Sequence, residues 1–136
     1  MNAPDTNILI YANDSREPVK RKIALDLLAD LDDTVLLWQV ACEYIAASRK
    51  LEKFGFTQEQ AFADLELLEK SWKVVLPVWK TLHKAETLIS RYSVSFWDAL
   101  IVAACLENGI TRLYSEDIGD FFRSENLEVI NPFQLK

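Results

Sequence analysis

Asp5, Glu43, Asp98 and Asp117 are the residues of this chain whose types and spacing could do chemistry. They lie far apart in sequence, yet the pattern of elements around them puts all four at one edge of a single sheet. Carboxylates gathered without basic partners repel one another, and their pKa values rise unless a cation compensates. Oxygen donors of this kind suit a hard divalent ion such as Mg²⁺ or Mn²⁺. Such an ion can activate a water and neutralise charge developing on a phosphate. The chain's one histidine, His83, has charged neighbours in a helix, so a metal is the more natural activator. The chemistry indicated is metal-dependent hydrolysis of a phosphodiester. Taken singly, each acid also has an ordinary use. Asp5 could cap a helix, Glu43 could sit on a helix surface, Asp98 could complete a capping box with Ser95, and Asp117 could be a turn residue. Their joint placement is what points to function.

That placement follows from alternating strand and helix. The apolar run Ile8–Tyr11 could either continue a first strand ending at Asp5 or begin a helix. Val19, Ile23, Leu27 and Leu31 recur every four residues and predict an amphipathic helix. Val35–Trp38 predicts a buried strand, and Val40, Tyr44, Ala47 and Leu51 a helix ending near Phe54-Gly55. Thr57-Gln58-Glu59-Gln60 is a capping-box signature for a helix with Phe62, Leu65, Leu68 and Trp72 as its core face. Lys73–Leu76 reads as a strand. A helix with Leu82, Ala85, Leu88 and Tyr92 inward follows it. Ser95-Phe96-Trp97-Asp98 caps a buried helix over Ala99–Leu106. Ile110–Tyr114 and Leu127–Ile130 are the last strands. The whole predicts one α/β domain over residues 1–136, a three-layer α/β/α sandwich around a mostly parallel sheet of four to five strands.

In such sheets ligands bind beyond the C-terminal ends of the strands. Glu43 leaves the strand ending near Trp38, and Asp117 follows the strand ending at Tyr114. Asp98 opens the helix that runs back to feed that same strand, and Asp5 ends the first strand.

Composition sets further bounds. Half the residues are apolar, and four Trp, seven Phe and four Tyr supply large buried area. The longest strongly apolar run, Ala99–Leu106, is too short for a bilayer. The N-terminal residues do not read as a secretory signal, so a cytoplasmic protein without a membrane partner is expected. Cys42 and Cys105 read as buried free thiols. The net charge of −6 argues against a simple electrostatic nucleic-acid binder, but divalent ions would offset much of it.

Asp5-Thr6-Asn7-Ile8-Leu9, Glu43 early in a helix, Trp97-Asp98-Ala99-Leu100-Ile101 and Tyr114-Ser115-Glu116-Asp117 resemble the PIN-domain family in order and spacing, and Asn131-Pro132-Phe133 resembles the ending of compact members. The nearest likeness is to VapC-type toxins of toxin–antitoxin pairs. The resemblance implies an endoribonuclease dependent on Mg²⁺ or Mn²⁺, with Asp5, Glu43, Asp98 and Asp117 as catalytic metal ligands. It also implies that Asn7 and Ser115 orient those carboxylates, and Asp120 matches a further acid of some members. An RNA substrate, a cognate antitoxin and a homodimer are the partners it implies. Members usually carry an apolar strand before the first acid. Here only Met1-Asn2-Ala3-Pro4 precede it, so the first strand is expected to be short.

Arg49 and Lys50, on the helix that carries Glu43, are the preferred RNA contacts. Lys20-Arg21-Lys22, Lys53, and Lys80 with Lys84 are further candidates. A solvated helix face accounts for all of these equally well. Trp97 could stack a base at the mouth of the site, or be an ordinary core or rim residue. Two other classes of function are open: a catalytically silent protein-interaction module of the same fold, and a phosphoacceptor receiver domain. The receiver fits poorly, because Asp98 and Asp117 come late and do not surround a single central phosphorylated Asp.

Overall fold

The computed structural model describes residues 1–134. Among these residues are five short strands and six α-helices, with helices connecting successive strands up to the fourth. They are β1 (Asn2–Pro4), α1 (Thr6–Tyr11), α2 (Pro18–Asp30), β2 (Val35–Leu37), α3 (Trp38–Ser48), α4 (Gln58–Ser71), β3 (Lys73–Val75), α5 (Trp79–Tyr92), α6 (Phe96–Glu107), β4 (Arg112–Tyr114) and β5 (Glu128–Ile130). Short 3-10 helices cover Arg49–Phe54 and Arg123–Glu125.

All strand pairings are parallel. The ribbons β2–β3 and β1–β4–β5 meet at one parallel bridge, Asn2 to Thr34, giving the spatial order β3-β2-β1-β4-β5. Pro4 explains why they meet at so little. Asn2 N–H donates toward Asp33 (2.9 Å), while Asp5 N–H donates to Tyr114 (2.8 Å). Alternate residues face the same neighbour, so the N–H that Pro4 lacks would have pointed at β2. The ladder on that side ends where proline occurs, and the other side is intact. A proline in a central strand is thereby accommodated, and the first strand is short, as the sequence indicates.

Val35, Leu36 and Leu37 are all buried. Successive strand residues point to opposite faces, so both faces of the sheet are covered, as the layered α/β reading requires. The open question after Asp5 resolves to a helix, α1. The buried-helix reading of residues 99–106 holds: Ala99, Ile101, Val102, Ala103 and Cys105 of α6 are at most 3% exposed. The Thr57–Gln60 capping box forms in both directions, at 2.8 and 3.1 Å.

Several side chains depart from the pattern. In α2 the inward positions are Ile23, Ala24, Leu27 and Leu28, while Val19, in the first turn, is 72% exposed. In α4 Ala61 is buried, and the larger Phe62 turns outward. Leu82 of α5 is also part exposed, and Thr81 takes the buried position. Helix α3 stops at Ser48 and tightens into the 3-10 turn that Gly55 closes at φ +96°, a left-handed conformation that glycine adopts readily. Cys42 is exposed on α3, against the expectation of burial; Cys105 is buried, and neither thiol is in a disulfide.

Candidate active site

The C-terminal ends of β1, β2 and β4 deliver the acids to one place. Asp5, Glu43, Asp98 and Asp117 all line a cleft of about 410 Å³, together with Thr6, Asn7, Tyr11, Asp14 and Arg16. Among the described residues Arg16 is the one basic residue there, and it is already forked onto Asp14 through two bonds of 2.9 Å. Among the described residues, none of the other four acids has an ion-pair partner.

Asp5 is the innermost, at 5% exposure. As the residue before α1 it accepts the Thr6 N–H on Oδ1 (2.7 Å), so its capping role and its place in the cleft coincide. Its Oδ2 accepts the Ser115 hydroxyl at 2.7 Å. Burial pushes the Asp5 pKa up to about 6. The Ser115 and Thr6 donors oppose that rise, and the nearby Glu43 and Asp98 charges add to it.

Ser115 Oγ is fully buried and also accepts the N–H groups of Asp117 (3.2 Å) and Ile118 (3.1 Å). One hydroxyl thus ties the turn carrying Asp117 to Asp5. Ser115→Ala is expected to lower stability by about 1–3 kcal/mol, since two backbone donors lose their acceptor. It should also raise the Asp5 pKa further. Urea unfolding and titration of the Asp5 carboxyl by NMR check the two effects.

Asn7 holds the opposite side of this turn. Its Oδ1 accepts the Glu116 N–H at 3.2 Å, and its Nδ2 donates to Asp117 Oδ2 at 3.3 Å, with longer 3.5 Å approaches to Asp5 and Ser115. Glu43 accepts the Thr6 hydroxyl at 2.8 Å and lies 3.5 Å from Gln39 Nε2, whose amide also donates to the Trp97 carbonyl (3.2 Å). Asp98, in the first turn of α6, offers a carboxylate with no hydrogen bond among the described residues; only its N–H is used, by the Ser95 cap at 3.2 Å.

The carboxylates expected to converge therefore share one cleft. As they stand, no three of them among the described residues are gathered into a ready ligand set. The donor chemistry fits a hard divalent cation: the free groups are all carboxylate oxygen, with amide and hydroxyl donors behind them. Asp120 is elsewhere. Its carboxylate accepts from Arg123 (2.8 Å) and the Val129 N–H (3.0 Å), where it fastens β5.

Thr6, the donor to Glu43, went unread although it lies inside the Asp5–Leu9 motif. Nothing in the sequence signals Arg16. A brace of Tyr11, Lys20 and Glu116 was also missed: Lys20 meets Glu116 at 2.7 Å, and the Tyr11 hydroxyl donates to the same carboxylate at 2.9 Å. Lys20 is thereby committed to a structural ion pair. Trp97 is 62% exposed, so it does not belong to the core. With Trp38, Trp79 and Leu82 it rims an apolar groove of about 370 Å³ that shares Ile101 with the acid cleft.

A family model of the PIN domain matches residues 3–124. The chain belongs to the PIN-domain family. Solved structures share this PIN fold along nearly the whole chain. A toxin–antitoxin complex from Klebsiella pneumoniae is 18% identical with a TM-score of 0.72, covering 99% of this chain and 100% of that one. VapBC2 from Rickettsia felis, bound to a DNA fragment from its promoter, is 21% identical with a TM-score of 0.67, covering 96% and 97%. VapC20 of Mycobacterium tuberculosis, described as a sarcin-ricin loop cleaving toxin, is 17% identical with a TM-score of 0.71, covering 93% and 96%. At these identities the likeness establishes the fold. No curated protein matches the chain in sequence. Among the described residues, no single helix is long and apolar enough to cross a membrane.

Proposed function

We propose that this PIN-domain protein is a divalent-metal-dependent endoribonuclease, the toxin of a toxin–antitoxin pair. One observation carries the reading: Asp5, Glu43, Asp98 and Asp117 line a single cleft and, among the described residues, have no cationic partner of their own. The family membership and the toxin–antitoxin complexes among its structural relatives support it.

Asp5, Glu43, Asp98 and Asp117 would hold Mg²⁺ or Mn²⁺, which supplies Lewis acidity toward water and a phosphate oxygen. The chain's other residues position these acids. Ser115 and the Thr6 N–H fix both oxygens of Asp5, the Thr6 hydroxyl fixes Glu43, and Asn7 steadies Asp117. The raised proton affinity of Asp5 comes first from its burial and only in smaller part from the Glu43 and Asp98 charges, and a bound cation would offset both. An RNA chain is the substrate, and a cognate antitoxin and a second copy of the chain are the protein partners of this reading. Outward-facing apolar surface is present for them on α4, at Phe62 and Leu67, and around the Trp79 groove.

The absence of a preformed ligand set among the described residues favours one rival, a silent interaction module that keeps the fold. Calorimetry with Mn²⁺ separates the two. Saturable binding that disappears in the double variant Glu43→Gln/Asp117→Asn, together with Mn²⁺-dependent cleavage of RNA by the parent, is the expected outcome. No saturable heat and no cleavage would support the silent module.

A further inference from the structure

Against its acidic balance the chain keeps one concentrated basic surface. Most of its lysines and arginines pair with a carboxylate. Among the described residues Arg21, Arg49, Lys50, Lys53, Lys73 and Lys84 do not. Arg49, Lys50 and Lys53 share one open groove with Arg16, and Glu52 is the single acid lining it. Arg16 lines this groove and the acid cleft alike, so the two surfaces are continuous.

The groove is built on firm supports. Arg49, Lys50 and Lys53 stand on the 3-10 helix Arg49–Phe54, anchored by fully buried Leu51. Ser15 Oγ meets the Phe54 carbonyl at 3.4 Å, joining that helix to the loop that bears Arg16. Phe54 is 40% exposed. The Arg16 guanidinium lies 4.5 Å from its ring centroid, and Lys53 Nζ lies 5.6 Å away. Cations interleaved with an exposed aromatic ring are the surface chemistry of single-stranded nucleic acid, whose phosphates take the charges and whose bases take the ring.

We propose that the groove of Arg16, Arg49, Lys50 and Lys53, with Phe54 beside it, carries the phosphate backbone of single-stranded RNA into the acid cleft. The inference rests on the nuclease reading of that cleft. Arg16 marks the junction: its fork onto Asp14 holds a guanidinium where the strand passes from the basic groove to the acids. An acidic protein segment would find the same cations but would then meet unpaired carboxylates, so the continuity of the two surfaces favours RNA.

The test uses the full chain with Asp98→Asn, so that binding is read without cleavage. A fluorescein-labelled single-stranded RNA is titrated by anisotropy across a salt series. Adding Arg49→Gln, Lys50→Gln and Lys53→Gln together should weaken binding at least tenfold. The slope of log affinity against log salt should shrink by roughly two, about 0.7 for each lost phosphate contact. Glu52→Gln should tighten binding. In the protein with Asp98 intact, the triple variant should raise KM with kcat unchanged. Unaltered affinity and slope in the triple variant would overturn the proposal. So would a lost affinity for poly-glutamate with RNA binding retained, which would assign the groove to an acidic protein. Mn²⁺ calorimetry on the triple variant keeps the two readings apart: normal metal binding and kcat with unchanged RNA affinity removes the groove and leaves the nuclease standing.

Discussion

The Asp98→Asn protein is expected to fold as the parent does and to cleave RNA about 10²–10³-fold more slowly, the scale on which single electrostatic groups at a reacting centre act. Asp98 suits this test because its carboxylate does nothing else. Its N–H caps onto Ser95, and its side chain has no hydrogen bond among the described residues. Asparagine keeps the shape and loses the charge. A favourable charge near the N-terminus of α6 is lost, worth about 0.3–1 kcal/mol. Relief of the repulsion that Asp98 exerts on Asp5 acts in the other direction, so the melting temperature should barely move. Metal-dependent cleavage at the parental rate in a variant shown to be folded would remove Asp98 from the site.

Asp5→Asn should separate activity from stability. Cleavage is expected to fall as in Asp98→Asn, while the metal-free protein becomes more stable at neutral pH. The sign follows from the direction of the shift. Burial raises the folded-state pKa of Asp5 from 3.8 to about 6. Below the unfolded value the carboxyl is protonated in both states. As pH rises toward the folded value, the unfolded chain releases the proton first, and the stability that the neutral acid contributed is lost. Above that window the ionised group weakens the fold by on the order of 2–3 kcal/mol. Asparagine removes this penalty but is a poorer acceptor for the Thr6 and Ser115 donors. The net gain should be about 1–2 kcal/mol at pH 7 and close to zero at pH 4. Thermal melts in chelator across pH 4–7 read it directly. A parental curve that is flat through this interval, or a variant that melts lower at pH 7, would contradict the burial argument.

How legible the chain was depended on the kind of interaction. Element types followed from local signals, such as the capping box at Thr57 and the alanine-rich run of α6. The four acids could be placed at one edge because their positions depend on strand direction alone. Orientation of single side chains was harder. Val19 and Phe62 fit their helices' apolar stripes and yet are exposed, because which part of a stripe is covered depends on tertiary packing that periodicity does not carry. Asp120 matched a motif and yet is held by Arg123 and the β5 backbone, contacts that depend on tertiary geometry. The Lys20–Tyr11–Glu116 brace and the seat of Arg16 join residues whose spacing carries no period, so no pattern could reveal them.

The Pro4 interruption has a mechanical corollary. Among the described residues the Asn2–Thr34 bridge is the one ladder contact between the ribbons, and the candidate centre straddles it: Glu43 follows one ribbon, and Asp5 and Asp117 the other. The Thr6–Glu43 hydrogen bond is a clasp across that join. Any displacement of one ribbon against the other would alter the spacing of the acids while leaving each ladder whole. Amide protons flanking the join should therefore exchange sooner than those within either ribbon, and cation loading should slow them more than any others.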